Sequence, residues 1–199
     1  MFRTLTLLFA LSAGEGAGAI QALQARDQEI RAQLPPAGQE VSPEARAKAD
    51  AVLTRLVDVD GIAKAALGDR WTKLSGKDRA RFLSAFERRF KQAIGEQLDA
   101  YRSANVTYGD EKKQGNKVLV STQLQIRGEP TEVTYAMQSG GKGWRIVDIV
   151  IDGVSTVDNY RTSFAKVISQ EGINGLIERL SKGSSAAGSA STSKSAKQP

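Results

Sequence analysis

The hydrophobic period of this chain changes near Ser103. Before it, apolar residues recur every three or four positions; after it, every second one. Residues 20–34 predict a short helix with Ile20, Leu23, Ile30 and Leu34 on one face, ended by Pro35-Pro36. Ser42-Pro43 predicts the next start, as N-cap and first helical residue. That helix runs to about Val57 and buries Val52, Leu53 and Leu56, and a shorter one from Asp60 to Leu67 stops at Gly68. The strongest helical pattern begins with the capping-box-like Ser75–Asp78. Phe82, Phe86, Phe90, Ile94 and Leu98 follow at intervals of four, and Tyr101 closes the stripe. The opposite face reads as basic, through Lys77, Arg79, Arg81, Arg88, Arg89 and Lys91.

Four strands are expected next. "NVTY" is short, and "KVLVSTQLQIR" sets Val118, Val120, Thr122, Leu124 and Ile126 on one face. "TEVTYAMQS" does the same with Val133, Tyr135 and Met137. The separators "GDEKKQGN", "GEP" and "SGGKG" are turn-like, so the strands form an antiparallel meander. The fourth strand, Trp144 to Asp152, is apolar at both parities, which predicts cover on both faces for part of its length. Gly153 turns into a helix to about Ser169, with Ser155 as N-cap, and Gly172 opens a last short helix. The fold class is therefore α+β: a four-stranded antiparallel curved sheet with N- and C-terminal helices covering one face.

Composition narrows the chemistry. The 199 residues include no Cys and no His, which removes thiolate chemistry, the usual Cys/His zinc sites and a Ser-His-Asp triad. The net charge of +6 favours acidic partners without choosing among them. Residues 1–19 resemble a secretory signal peptide: Arg3, an apolar run from Leu5 to Ala13, then Ala17-Gly18-Ala19 in the small-x-small cleavage pattern. Residues 20–41 form an N-terminal helix and linker, and 42–182 the main domain. Residues 183–199, a Ser/Ala-rich tail with no large apolar side chain, are expected to be disordered.

Asp148 and Asp152 invite a catalytic reading. Four apart on a strand, they sit roughly 13 Å apart along the backbone. Glycoside chemistry needs carboxyls about 5–9.5 Å apart. The plainer reading places both acids on the polar face or paired with Arg145, Arg127 or Arg161. An Asp base with Tyr135 as oxyanion partner, as in an isomerase-like cone, stays open as the enzyme alternative. A secreted adaptor using the Arg-rich helix is another. Nucleic acid is disfavoured because Asp78, Glu87 and Glu96 interrupt the basic face and no aromatic platforms interleave with it.

Several motifs in order resemble the MlaC, or toluene-tolerance auxiliary, family. They are Leu67-Gly68 followed by Trp71, Leu74-Ser75, Phe82, Phe86 and Tyr101, then Trp144, Asp148, "DGVS" from Asp152, "NYR" from Asn159, Phe164 and "GINGLIERL". The resemblance covers about residues 42–182. It implies an NTF2-like cone around an apolar cavity, in a periplasmic phospholipid carrier that catalyses no reaction and needs no cofactor or metal. The implied partners are a phospholipid ligand, an inner-membrane ABC transporter with an MCE-type subunit, and an outer-membrane lipoprotein–porin complex, with the carrier itself a monomer. Face assignment, separately, nominates the cavity wall. From the helices it takes Leu67, Trp71, Phe82, Phe86, Phe90, Ile94, Leu98, Tyr160 and Phe164. From the strands and the turn after them it takes Val120, Leu124, Val133, Tyr135, Met137, Val150 and Val154.

Overall fold

A computed structural model describes residues 18–126 and 129–183. Of the expected leader (1–19) and tail (183–199), residues 1–17 and 184–199 lie outside the described residues. Helices α1 (Ala19–Gln33), α2 (Pro43–Leu56), α3 (Val59–Leu67), α4 (Arg70–Lys73), α5 (Gly76–Glu96) and α6 (Leu98–Ser103) come first. Strands β1 (Asn105–Gln114), β2 (Lys117–Ile126), β3 (Glu129–Gly140), β4 (Gly143–Ile151) and β5 (Val154–Ser155) follow, then α7 (Thr156–Lys182). The five strands pair antiparallel in sequence order.

Local chemistry sets the helix ends. Ser42 Oγ accepts the Ala45 amide, Ser75 Oγ the Asp78 amide, and Ser155 Oγ the Asp158 amide. Gly68, at φ +55°, stops α3, and Gly172, at φ +66°, breaks the helical path of α7. The long aromatic helix ends earlier than its stripe suggests, because the chain leaves helical geometry at Gln97 and restarts as α6.

The sheet departs from the expected pattern in two places. The segment "GDEKKQGN" is mostly strand: β1 continues to Gln114 with an irregularity between Tyr108 and Glu111, and only Gly115-Asn116 turns. Its charges lie on an edge strand, where they discourage pairing with another chain. In β4, Ala136 opposes Asp148 while Met137 opposes Ile146, so Val147 is bulged. The bulge puts Ile146 on the same face as Ile149 and Ile151, so part of the apolar run at both parities shares one face. The residues before α3 close one end of the β4 edge: Val57 bridges Ile146 in parallel, and the Asp58 amide donates to the Ile146 carbonyl at 2.8 Å.

The main core lies where α3, α5 and α7 meet. Phe82, Phe86 and Phe164 are almost fully buried. The Phe82 and Phe164 rings meet edge to face at 5.8 Å, and Phe86 meets Tyr160 at 5.2 Å. A second, smaller cluster sits on the sheet itself: Ala104, Leu124 and Val133, with Val106, Tyr135, Ile149 and Ile151 only partly buried.

Candidate lipid-binding face

Strand register fixes one continuous face. Val106 opposes Leu124, Tyr108 opposes Thr122, and Val120 opposes Tyr135, which in turn opposes Ile149. Every second residue therefore contributes to one surface, and α1 contacts all four long strands. Leu67, Phe82, Phe86, Phe90, Val120, Met137, Tyr160 and Phe164 belong to the main core, with Trp71 and Ile94 half-buried against it. Leu124 and Val133 belong to the sheet cluster, and Tyr135 touches both groups. Leu98 is buried. Two of the nominated residues stand apart. Val150 pairs with Thr134, so the sheet's alternation turns it to the opposite face, and Val154 on β5 is 60% exposed.

The helical stripe is packed in this conformation. A crevice beside Phe90 and Ile94, bounded by Leu53 and Val59, holds about 10 Å³, which is room for about one water. A wider open groove of about 480 Å³ runs between α5 and α7, past Arg81, Arg88, Ile177 and Ser181.

A polar knot joins α1 to the sheet, and the apolar pattern gave no sign of it. Asp27, on the sheet side of α1, accepts the Tyr101 hydroxyl at 2.6 Å. The Asp27 charge also acts on the Tyr108 phenol, adding to burial in holding its proton. Arg31 pairs with Asp27 at 3.0 Å, and its guanidinium lies 4.6 Å over the Tyr101 ring. Its Nη2 reaches the Ala104 carbonyl at 3.2 Å. Burial, with the Asp27 charge adding to it, pushes the Tyr135 phenol up to about 12 and raises Tyr101 and Tyr108 well above the ordinary tyrosine range. The Glu111 carboxylate, next to the β1 irregularity, accepts the Ile20 amide at the start of α1. The one sequence signal that bears on this knot is the i,i+4 spacing of Asp27 and Arg31 on a helix with a thin apolar stripe.

The two candidate acids have structural partners. Asp148 accepts the Ile149 and Val157 amides at 2.8 and 3.1 Å and the Ser155 hydroxyl at 2.6 Å, so it anchors the start of α7. Asp152 sits in the turn at φ +46° and accepts the Glu132 amide at 3.1 Å. Asp148 opposes Ala136, whereas Tyr135 opposes Ile149, so the proposed base and its oxyanion partner lie on opposite faces. Arg145 pairs with Asp58 and donates to the Val57 carbonyl, and Arg161 donates to the Ala65 carbonyl; neither is the partner expected for Asp148. Arg127 lies outside the described residues.

The basic face of α5 is likewise dispersed. Arg79 covers Trp71 and donates to the carbonyls of Trp71 and Thr72. Arg81 bonds Asp78 and Asn174. Arg89 is buried beside the aromatic core, and its ion pair is a 3.5 Å contact with Glu96. Among the described residues, no helix is long and apolar enough to cross a membrane.

Comparison with known proteins places this geometry. A structure described as the phospholipid-binding protein from Ralstonia solanacearum in complex with a phospholipid superposes with a TM-score of 0.71 at 21% identity. The match covers 84% of this chain and 97% of that one, and it shows the shared fold. The toluene tolerance protein ttg2D of Pseudomonas putida is 24% identical over 125 residues, covering 61% of this chain and 58% of that protein. The intermembrane phospholipid transport system binding protein MlaC of Haemophilus influenzae is 22% identical over 135 residues, covering 65% and 63%. The chain thus spans about three-fifths of the length of these curated relatives. The family model described as MlaC protein matches residues 26–182, most of the described chain, and the protein belongs to that family.

Proposed function

We propose that the protein is a periplasmic carrier of glycerophospholipid. It takes lipid from one membrane complex and delivers it to another, between an outer-membrane assembly and an inner-membrane ABC transporter with an MCE-type subunit, and so maintains outer-membrane lipid asymmetry. The observation that carries this reading is the match to the MlaC family over residues 26–182. The physics supports it. Two acyl chains of roughly thirty methylenes in total cost on the order of 20 kcal/mol to expose to water, at about 0.8 kcal/mol each. A carrier must offer a replacement apolar surface, and that requires neither His, nor Cys, nor a metal. The sheet cluster around Leu124 and Val133 is the natural place to start, because its border residues Val106, Ile149 and Ile151 are only partly buried.

The test is native mass spectrometry, with lipid extraction, of protein exported in a Gram-negative host and purified without detergent. One phospholipid per chain is the expected result. A lipid-free chain that also extracts nothing from phospholipid vesicles refutes the reading.

A further inference from the structure

The contacts of α1 are unlike those of the other covering helices. Its buried apolar residues are Ala19, Leu23 and Ile30. Much of its attachment to the sheet side is polar: Glu111 on the Ile20 amide, the Asp27 carboxylate (paired with Arg31) on the Tyr101 hydroxyl, and Arg31 on the Ala104 carbonyl. By contrast α5 and α7 meet through ring-to-ring packing. Polar contacts of this kind can be exchanged for water one at a time, whereas separating an apolar interface exposes its whole area at once. The face beneath α1 runs into the Leu124–Val133 cluster, whose border residues are only partly buried.

We propose that α1 is a displaceable strap over the acyl-chain site, with the Asp27–Tyr101–Arg31 knot as its latch. Acyl chains enter along the sheet face as α1 lifts, while the aromatic core of α3, α5 and α7 stays closed. The latch re-forms once the ligand is seated or released. The proposal rests on the carrier reading above and adds the moving part. Glu111 fixes the N-terminal end of the strap, and Arg31 fixes its C-terminal end against the last residue before β1.

Two variants test it by opposite effects. Tyr101→Phe keeps the ring and removes the hydroxyl that donates to Asp27. Uptake of a fluorescent phosphatidylglycerol from vesicles should become about 10-fold faster, the change expected on losing a hydrogen bond to a charged acceptor. Hydrogen exchange should accelerate in α1, while α5 and α7 keep their protection. In the second variant, Gln21→Cys and Glu111→Cys are joined by a short bis-maleimide that carries a reducible disulfide. Both positions are exposed, and the chain has no other cysteine, so the bridge is unique. The bridged protein should take up lipid at less than about a tenth of the unbridged rate and recover on reduction, which separates a closed strap from a misfolded chain.

Unchanged uptake in the bridged protein overturns the strap, as does faster uptake of the tyrosine variant with exchange raised equally in α5 and α7. Failure of the unmodified protein to take up phosphatidylglycerol at all overturns the carrier reading instead.

Discussion

The tyrosines offer a direct measure of how firmly the sheet face is closed. The chain has four, Tyr101, Tyr108, Tyr135 and Tyr160, and all four are raised above the ordinary phenol value, chiefly by burial. For the first three the Asp27 carboxylate pushes the same way, since a second negative charge beside it disfavours a phenolate. The perturbation is a rise in pH. A phenol with a higher pKa in the folded state keeps its proton longer there than in the unfolded chain. Its contribution is complete below about pH 10 and is lost as pH climbs toward 12. For Tyr135 the displacement is from 10.0 to about 12, which at ~1.4 kcal/mol per unit amounts to an upper bound of about 3 kcal/mol. Tyr101 and Tyr108 add to it in the same direction. The assay is phenolate absorbance near 295 nm, followed alongside far-ultraviolet circular dichroism. Native protein should show little phenolate up to about pH 11, then release all its tyrosines as helix signal falls. Urea stability should drop between pH 10 and 12. A tyrosine that titrates reversibly near pH 10 with the helix signal intact would refute the buried knot.

Three further outcomes follow from named contacts. Asp148→Ala removes the acceptor of two amides and a hydroxyl and should lower stability in urea by about 2–4 kcal/mol, with Asp148→Asn milder. Lipid content per folded molecule should be unchanged in both, and its loss in the folded Asn variant would contradict a purely structural role. Phe86→Ala empties the centre of the ring cluster and should cost about 3–5 kcal/mol by urea unfolding; a cost below 1 would mean that the core is not packed as described. If export removes residues 1–19, the amine of Ile20 becomes charged beside Glu111. Glu111→Gln should then cost the processed chain about 0.5–1 kcal/mol and the unprocessed chain less, with N-terminal sequencing to confirm the cut.

Much of the fold was legible because periodicity and caps agreed. Ser42, Ser75 and Ser155 accept the amides that their positions promised, and the switch from helical to alternating period falls within two residues of β1. Errors arose where one residue changes a register. Val147 is a single inserted residue, and without it the Ile146 and Ile149 faces cannot be reconciled. Arg89 was assigned to the basic face by its charge, yet it lies seven residues after Phe82. Seven helical steps of 100° return it to within about 20° of the Phe82 direction, on the buried side. The candidate wall was legible as a set of faces, but which faces are packed and which are loosely covered depends on helix placement. Nothing in the alternation of β1 and β3 announced that Tyr108 and Tyr135 would feel the charges of an Asp–Arg pair from a helix roughly 80 to 110 residues earlier.

A carrier of the kind proposed would have two conflicting requirements: to survive without its ligand, and to open for it. This fold would separate them spatially. The rings of α5 and α7 interlock with α3 below them, and no partial opening there avoids exposing apolar surface. The attachment of α1 differs, because beside its buried Ala19, Leu23 and Ile30 it carries polar contacts whose groups water can serve almost as well, and the tyrosine rings that remain behind are themselves amphipathic. Local openings draw on the least cooperative contacts first, so motion should be confined to α1 and the sheet face while the aromatic core holds the rest of the fold in register. On the strap proposal Asp148 gains a role consistent with its three partners: by fixing the start of α7 to β4, it would keep the sheet attached to the rigid half while the other side of the sheet is uncovered.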